Sequence, residues 1–210
     1  MSLDKEMNGH VIMRLELNDI FGGRTTWGWI SALFALQTVG ALVIQRLFHL
    51  GLSEVVIPVC ILLLGTFISF GFRSYADSNK LGSFQWWVPL ILYAAFIFSL
   101  SNRSYPGATP CFSTKFFHPI EYAAFSLLLC AALFSILVRK GVPSFAVRVF
   151  SLGILYGASD EFHQAFIPGR SPRVLDVLFW DLLGITLAIG TFLLIRSIWR
   201  SSGKIHQHSP

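Results

Sequence analysis

Six apolar stretches, at about 27–45, 52–72, 85–101, 117–138, 144–164 and 174–195, occupy most of this 210-residue chain and constrain its fold more than any other feature. A helix crossing a bilayer needs roughly 20 predominantly apolar residues, because about 30 Å of hydrocarbon is covered at 1.5 Å per residue. The third and fifth stretches are the weakest, one being short and the other ending in Ser159, Asp160, Glu161, His163 and Gln164. Five spans, or a re-entrant segment, are the alternatives to six. With 54% hydrophobic and only 13% charged residues, a soluble domain is excluded. The expected fold is an all-α polytopic bundle of transmembrane helices, about six spans.

The first apolar stretch follows 26 mostly polar residues and exceeds the core of a signal peptide, so it reads as a retained anchor. Residues 7–21 mix apolar and charged positions and suit a short surface helix or a disordered arm equally. Six spans put both termini on one side, which sorts the 16 Lys and Arg residues into two sets. Lys5, Arg14, Arg24, Arg73, Lys80, Arg139, Lys140, Arg148, Arg196, Arg200 and Lys204 share the terminal side, whereas Arg46, Arg103, Lys115, Arg170 and Arg173 lie opposite. The positive-inside rule then makes both termini cytoplasmic, in the cytoplasmic (inner or plasma) membrane. The net charge of +5 accordingly signals topology and contact with anionic lipid rather than nucleic acid, for which no basic patch interleaved with stacking aromatics exists. Trp86, Trp87 and Trp199 fit interfacial belts on the inner side. Cys60, Cys111 and Cys130 show no metal or redox spacing, and packing explains the two in apolar stretches.

Charged groups inside spanning helices are costly and therefore informative. Apart from Gln37, Gln45 and Glu54 near their ends, the first two stretches carry none, while residues 99–184 hold Asn102, Lys115, His118, Glu121, Asp160, Glu161, His163, Gln164, Arg170, Arg173, Asp176 and Asp181. In the six-span topology all of these fall on the outer side, at the ends of four helices. That convergence marks a site.

Helical spacing decides which groups can meet. His118, Glu121 and Tyr122 stand at i, i+3 and i+4, and Asp160, His163 and Gln164 repeat the pattern, so each triplet shares a face. Pro119 suits a first helical position, which leaves His118 and Glu121 as ordinary helix-start residues in the simplest account and as an acid–histidine pair in the functional one. Glu161 points about 100° away from Asp160 and is expected to pair with Arg170 or Arg173, or to reach the site from the loop. The turn Ile167-Pro168-Gly169-Arg170-Ser171-Pro172 leaves Arg170 to neutralise carboxylates or clamp an anion. On a regular α-helix Asp176 and Asp181 lie roughly 140° apart and cannot both point at one atom. Two His and several carboxylates could supply zinc ligands, but no metal motif is matched, so no metal is expected and no cofactor is named.

The run Tyr156-Gly157-Ala158-Ser159-Asp160-Glu161-Phe162-His163-Gln164-Ala165-Phe166-Ile167-Pro168-Gly169-Arg170, with Lys115-x-x-His118-x-x-Glu121-Tyr122 upstream, resembles the VanZ-like membrane proteins. The resemblance covers about residues 95–190, including Ser99-Leu100-Ser101-Asn102 and Asp176…Asp181-x-x-Gly184. Three positions depart from the pattern: Asn102-Arg103 in place of Ser-Gln, Thr114 in place of an Asp, and five residues rather than four between Asp176 and Asp181. The resemblance implies association with resistance to glycopeptide antibiotics, chiefly the lipid-tailed teicoplanin, without an established reaction.

The chain thus divides into a cytoplasmic segment 1–26, two accessory helices within 27–84, a four-helix VanZ-like core over 85–196 and a cytoplasmic tail 197–210. In the leading functional reading Glu121, Asp160, His163 and His118 perform acid–base chemistry, and Arg170, Gln164, Lys115, Tyr122, Glu161, Asp176 and Ser101 hold the substrate. That substrate would be a lipid-linked cell-wall precursor or a lipoglycopeptide, reached among membrane lipids. The alternatives are a non-enzymatic binder or transporter of lipid, ion or antibiotic, and a structural role in which Asp160–Arg170 and Glu121–Lys115 pairs lock helices together.

Overall fold

The computed structural model describes residues 24–75, 83–104, 117–170 and 173–206, all of whose regular structure is helical. The possible surface helix at 7–21 lies outside these residues. α1 (Arg24–Leu47) and α2 (Leu52–Tyr75) form an antiparallel hairpin. Their buried residues, Trp27, Ile30, Phe34 and Thr38 on one helix and Val55, Pro58, Leu62, Gly65 and Ser69 on the other, recur every three or four positions, the spacing of a helix–helix seam. Gly65 is required there, since a Cβ would come within 2.4 Å of the Phe34 ring. Pro58 lacks an N–H in mid-helix, a loss that membrane helices tolerate when neighbours pack against the freed backbone. Ser31 Oγ donates across the hairpin to the Thr66 carbonyl at 3.2 Å, and the connecting turn is held by Gln45 Nε2 donating to Leu50 O at 2.9 Å.

A 3-10 turn, Ser83–Trp86, leads into α3 (Trp87–Ser101). Trp86 stacks on Trp27 with ring centroids 4.8 Å apart and is buried. It therefore packs between helices, because α1 begins alongside it. α4 (His118–Ala132) starts with Pro119 at its first turn and is interrupted at Leu133. α5 (Phe134–Gln164) contains Gly141 at φ 78° and ψ 177°, values that end a right-handed helix and suit glycine. Residues 134–140 thus complete the fourth crossing, and the fifth begins after the glycine. The last crossing opens with a π-helical turn, Asp176–Asp181, and continues as α6 (Leu182–His206), so the helix runs on beyond residue 196.

The described residues make six helical passes, four of them through helices of 23 to 26 residues long and apolar enough to cross a bilayer. The chain is a helical membrane protein. The fifth stretch, Arg139–Gln164, is among the four long ones despite its polar end, while α3 and α4 are the short apolar helices at 15 residues each. α4 is short because the chain bends at Leu133, not because its apolar run ends there. The interior is aromatic: Phe125 stacks on Tyr156 at 4.6 Å, Tyr93 packs against Phe34 and Phe96, and Phe192 lies between Phe134 and Phe145.

Candidate functional site

The ends of α3 and α5 and the starts of α4 and α6 meet at one end of the bundle. The closest approach is between α4 and α6, where Gly184 faces the α4 backbone: a Cβ would lie 2.5 Å from Pro119 O and 2.8 Å from Ala123 N. This contact sets His118 of α4 opposite Asp181, whose Oδ1 is 3.0 Å from His118 Nδ1. A carboxylate acceptor fixes the proton on Nδ1 and with it the orientation of the ring. Both residues are buried, Asp181 completely. Tyr122, one turn into α4, stacks nearly parallel to His118, with centroids 6.0 Å apart.

From α5, Gly157 leaves the space that Asp181 occupies, since a Cβ there would be 2.7 Å from Asp181 Oδ2 and 3.3 Å from Tyr122 Cε1. One turn further on, Asp160 Oδ2 accepts from Gln164 Nε2 at 2.9 Å, and Gln164 also reaches Ser101 Oγ of α3 at 3.4 Å. The Glu121 carboxylate makes no hydrogen bond among the described residues and lies within electrostatic range of His118, Asp160, Asp181 and Arg170. Glu121, Asp160 and Asp181, on three different helices, therefore surround one histidine. Three buried oxygens here lack a hydrogen-bond partner: Asp160 Oδ1, Asp181 Oδ2 and the Tyr122 hydroxyl. Each such orphan costs about 1–3 kcal/mol, so their concentration at one place calls for an explanation beyond packing.

The remaining polar groups hold the frame. Arg170 Nε and Nη2 donate to Arg103 O at 2.7 Å and Leu100 O at 2.8 Å, tying the 165–170 turn to the C-terminal end of α3. Glu161 Oε2 accepts from the Arg173 backbone N–H at 2.8 Å, so its partner is the main chain of Arg173, not a guanidinium. His163 packs at a tilt against Phe98, ring centroids 4.5 Å apart, and meets Asn102 Oδ1 at 3.2 Å, on the outside of the bundle rather than with Asp160. The face shared by Asp160 and Gln164 thus excludes His163, although a spacing of three would have allowed it. Lys115 lies outside the described residues. Arg103 donates to Ser53 O, joining this end of the core to α2.

Asp176 and Asp181 are both buried, on a turn that is not the regular α-helix for which they would lie roughly 140° apart. The turn between them is π-helical, and i→i+5 bonding returns a residue five positions on to about the same side. From sequence, Asp181 falls in the polar cluster but gains no role at the site, because α-helical geometry and the five-residue spacing set it apart from Asp176. Among the described residues no group of three or more His, Cys, Asp or Glu is arranged to hold a metal ion.

The VanZ/LLP1 family model matches residues 53–196, more than half of the chain. The chain belongs to the VanZ/LLP1 family. No curated protein and no solved structure matches it. The VanZ/LLP1 match includes α2 as well as the four helices of the site, and among the described helices only α1 precedes it. Even α1 touches the core, because Tyr93 OH donates to Gln37 Oε1 at 2.7 Å.

Proposed function

We propose that this VanZ/LLP1 protein carries an acid–base site for the polar head of a lipid-tailed cell-envelope substrate, either a lipid-linked wall precursor or a lipoglycopeptide antibiotic. The carrying observation is the buried His118–Asp181 hydrogen bond, 3.0 Å long, set beside Asp160 and Glu121. A carboxylate on Nδ1 orients an imidazole and stabilises its cation, leaving Nε2 to take up or release a proton. His118 is then the proton carrier, Asp181 its positioning partner, and Glu121 and Asp160 the acid and base at the substrate. Gln164 and Ser101 hold Asp160, and Tyr122 forms one wall. Arg170, Glu161 and His163 support the frame that presents these groups.

The 11 to 5 division of Lys and Arg supports an orientation with both termini in the cytoplasm and the site facing outward, in the cytoplasmic membrane. A substrate with an apolar tail could reach it from the outer leaflet. A second reading, non-enzymatic binding of an antibiotic, lipid or ion, draws on the three unpaired oxygens, which would serve a bound ligand as well as a reacting one.

Single substitutions His118→Ala, Glu121→Gln, Asp160→Asn and Asp181→Asn, scored for protein level in the membrane and for teicoplanin susceptibility of the host, test the proposal. Variants that accumulate normally but lose protection support a site. Normal protection by all four would remove it, and failure of all four to accumulate would favour a structural role. Retained binding of teicoplanin by inactive variants separates chemistry from binding.

A further inference from the structure

At the end of the bundle opposite the site, a cleft of about 650 Å³ opens along α5 just after the Gly141 break. Its walls are apolar, from Leu133, Pro143, Val147 and Leu152, but Ser144, Ser151 and Arg148 line it as well. Arg148 is exposed and makes no hydrogen bond or ion pair among the described residues. It stands seven residues beyond Gly141, about 10 Å along the helix. Arg148 lies within the apolar span Arg139–Gln164, where an exposed guanidinium without a counter-ion is costly. Arg139 and Lys140, both exposed, flank the turn, and no Asp or Glu occurs between Tyr122 and Ser159 or after Asp181.

We propose that this cleft binds an anionic phospholipid, with its phosphodiester on Arg148 and one acyl chain along Leu133, Val147 and Leu152. A guanidinium fork matches phosphate oxygens in paired hydrogen bonds, and the two serines offer further donors. The excess of positive charge along 139–148, with no carboxylate between Tyr122 and Ser159, selects an anionic over a zwitterionic headgroup. The leaflet is the cytoplasmic one in the orientation given by the charge distribution. The site is independent of the acid–base cluster, which lies at the other end of the same helix.

Native mass spectrometry of the full-length chain in detergent, titrated with phosphatidylglycerol or phosphatidylcholine of the same chain length, tests this. The wild type is expected to retain phosphatidylglycerol about fivefold or more better than phosphatidylcholine. Arg148→Gln should abolish that preference, and Lys140→Gln should leave most of it. Val147→Trp fills the cleft while keeping the charge and should weaken retention of phosphatidylglycerol too. Equal retention of both lipids by the wild type, or undiminished preference in Arg148→Gln, would overturn the proposal. Should Arg148→Gln not accumulate, undiminished retention by Val147→Trp overturns it instead.

Discussion

Replacing Gly184 by alanine probes whether the α4–α6 crossing builds the site. The added methyl would sit 2.5 Å from Pro119 O and 2.8 Å from Ala123 N, against 3.4 Å for the near edge of ordinary contact. The obstructing atoms are backbone, so no rotamer change relieves them, and the two helices must separate by about 0.9 Å at this level. His118 precedes Pro119, and Asp181 is one turn before Gly184, so the separation falls on their 3.0 Å bond and stretches it beyond hydrogen-bonding distance. Overpacking of this kind costs about 1–3 kcal/mol, and a buried carboxylate stripped of its partner about 1–3 kcal/mol more. At about 2–4 °C per kcal/mol, the full-length chain in detergent should melt roughly 4–24 °C lower. Gly190→Ala on the same helix is the control, since nothing lies within 4 Å of its added methyl. Thermal unfolding followed by circular dichroism or size-exclusion fluorescence reads the difference. Equal melting of Gly184→Ala and Gly190→Ala would refute the claim that the glycine sets the crossing.

Gly157→Ala should displace the Asp181 carboxylate, 2.7 Å from the new methyl, and, under the proposed function, reduce protection against teicoplanin more than it reduces the amount of protein in the membrane, as immunoblotting beside a susceptibility assay would report. Arg170→Lys loses the planar fork that spans the carbonyls of Arg103 and Leu100, and should destabilise the chain by about 1–3 kcal/mol and quicken proteolysis of the 165–170 turn. Gln37→Leu removes the bond to Tyr93 and should cost under about 1 kcal/mol, visible as a small drop in melting temperature with the site intact.

The six crossings are legible in the sequence because bilayer thickness translates directly into the length of an apolar run. The turn between the fourth and fifth is legible less well: Gly141 reverses the chain only through its positive φ, which the letter G permits but does not announce. At the site, the pairing of Asp160 with Gln164 follows from a spacing of four. His163, at a spacing of three, turned instead toward Phe98, since a side chain at the rim of a face can join either neighbour. Pairings between helices could not be read at all. The partner of His118 is 63 residues away, and the partner of Glu161 is a backbone amide whose availability depends on the path of a loop. Gly153, Gly157 and Gly184 carry that missing information, because the α4, α5 and α6 backbones approach at glycines, yet nothing in their letters says which helix each one faces.

An α-helix turns about 100° with each residue, so a single inserted residue ordinarily rotates everything beyond it off its partners. The wide turn from Asp176 to Asp181 stores one such residue. Ahead of it the chain keeps Asp176 and Val177 inward, and behind it Ile185, Ala188, Ile189 and Phe192 remain inward as well. The polar tip and the apolar stripe of the last helix are thereby set in phase independently. Removing one residue between 177 and 180 would tighten the turn to an ordinary helix and leave both in register, whereas removing one beyond Asp181 would swing the stripe away from Phe134 and Phe145 while the carboxylate stayed in place.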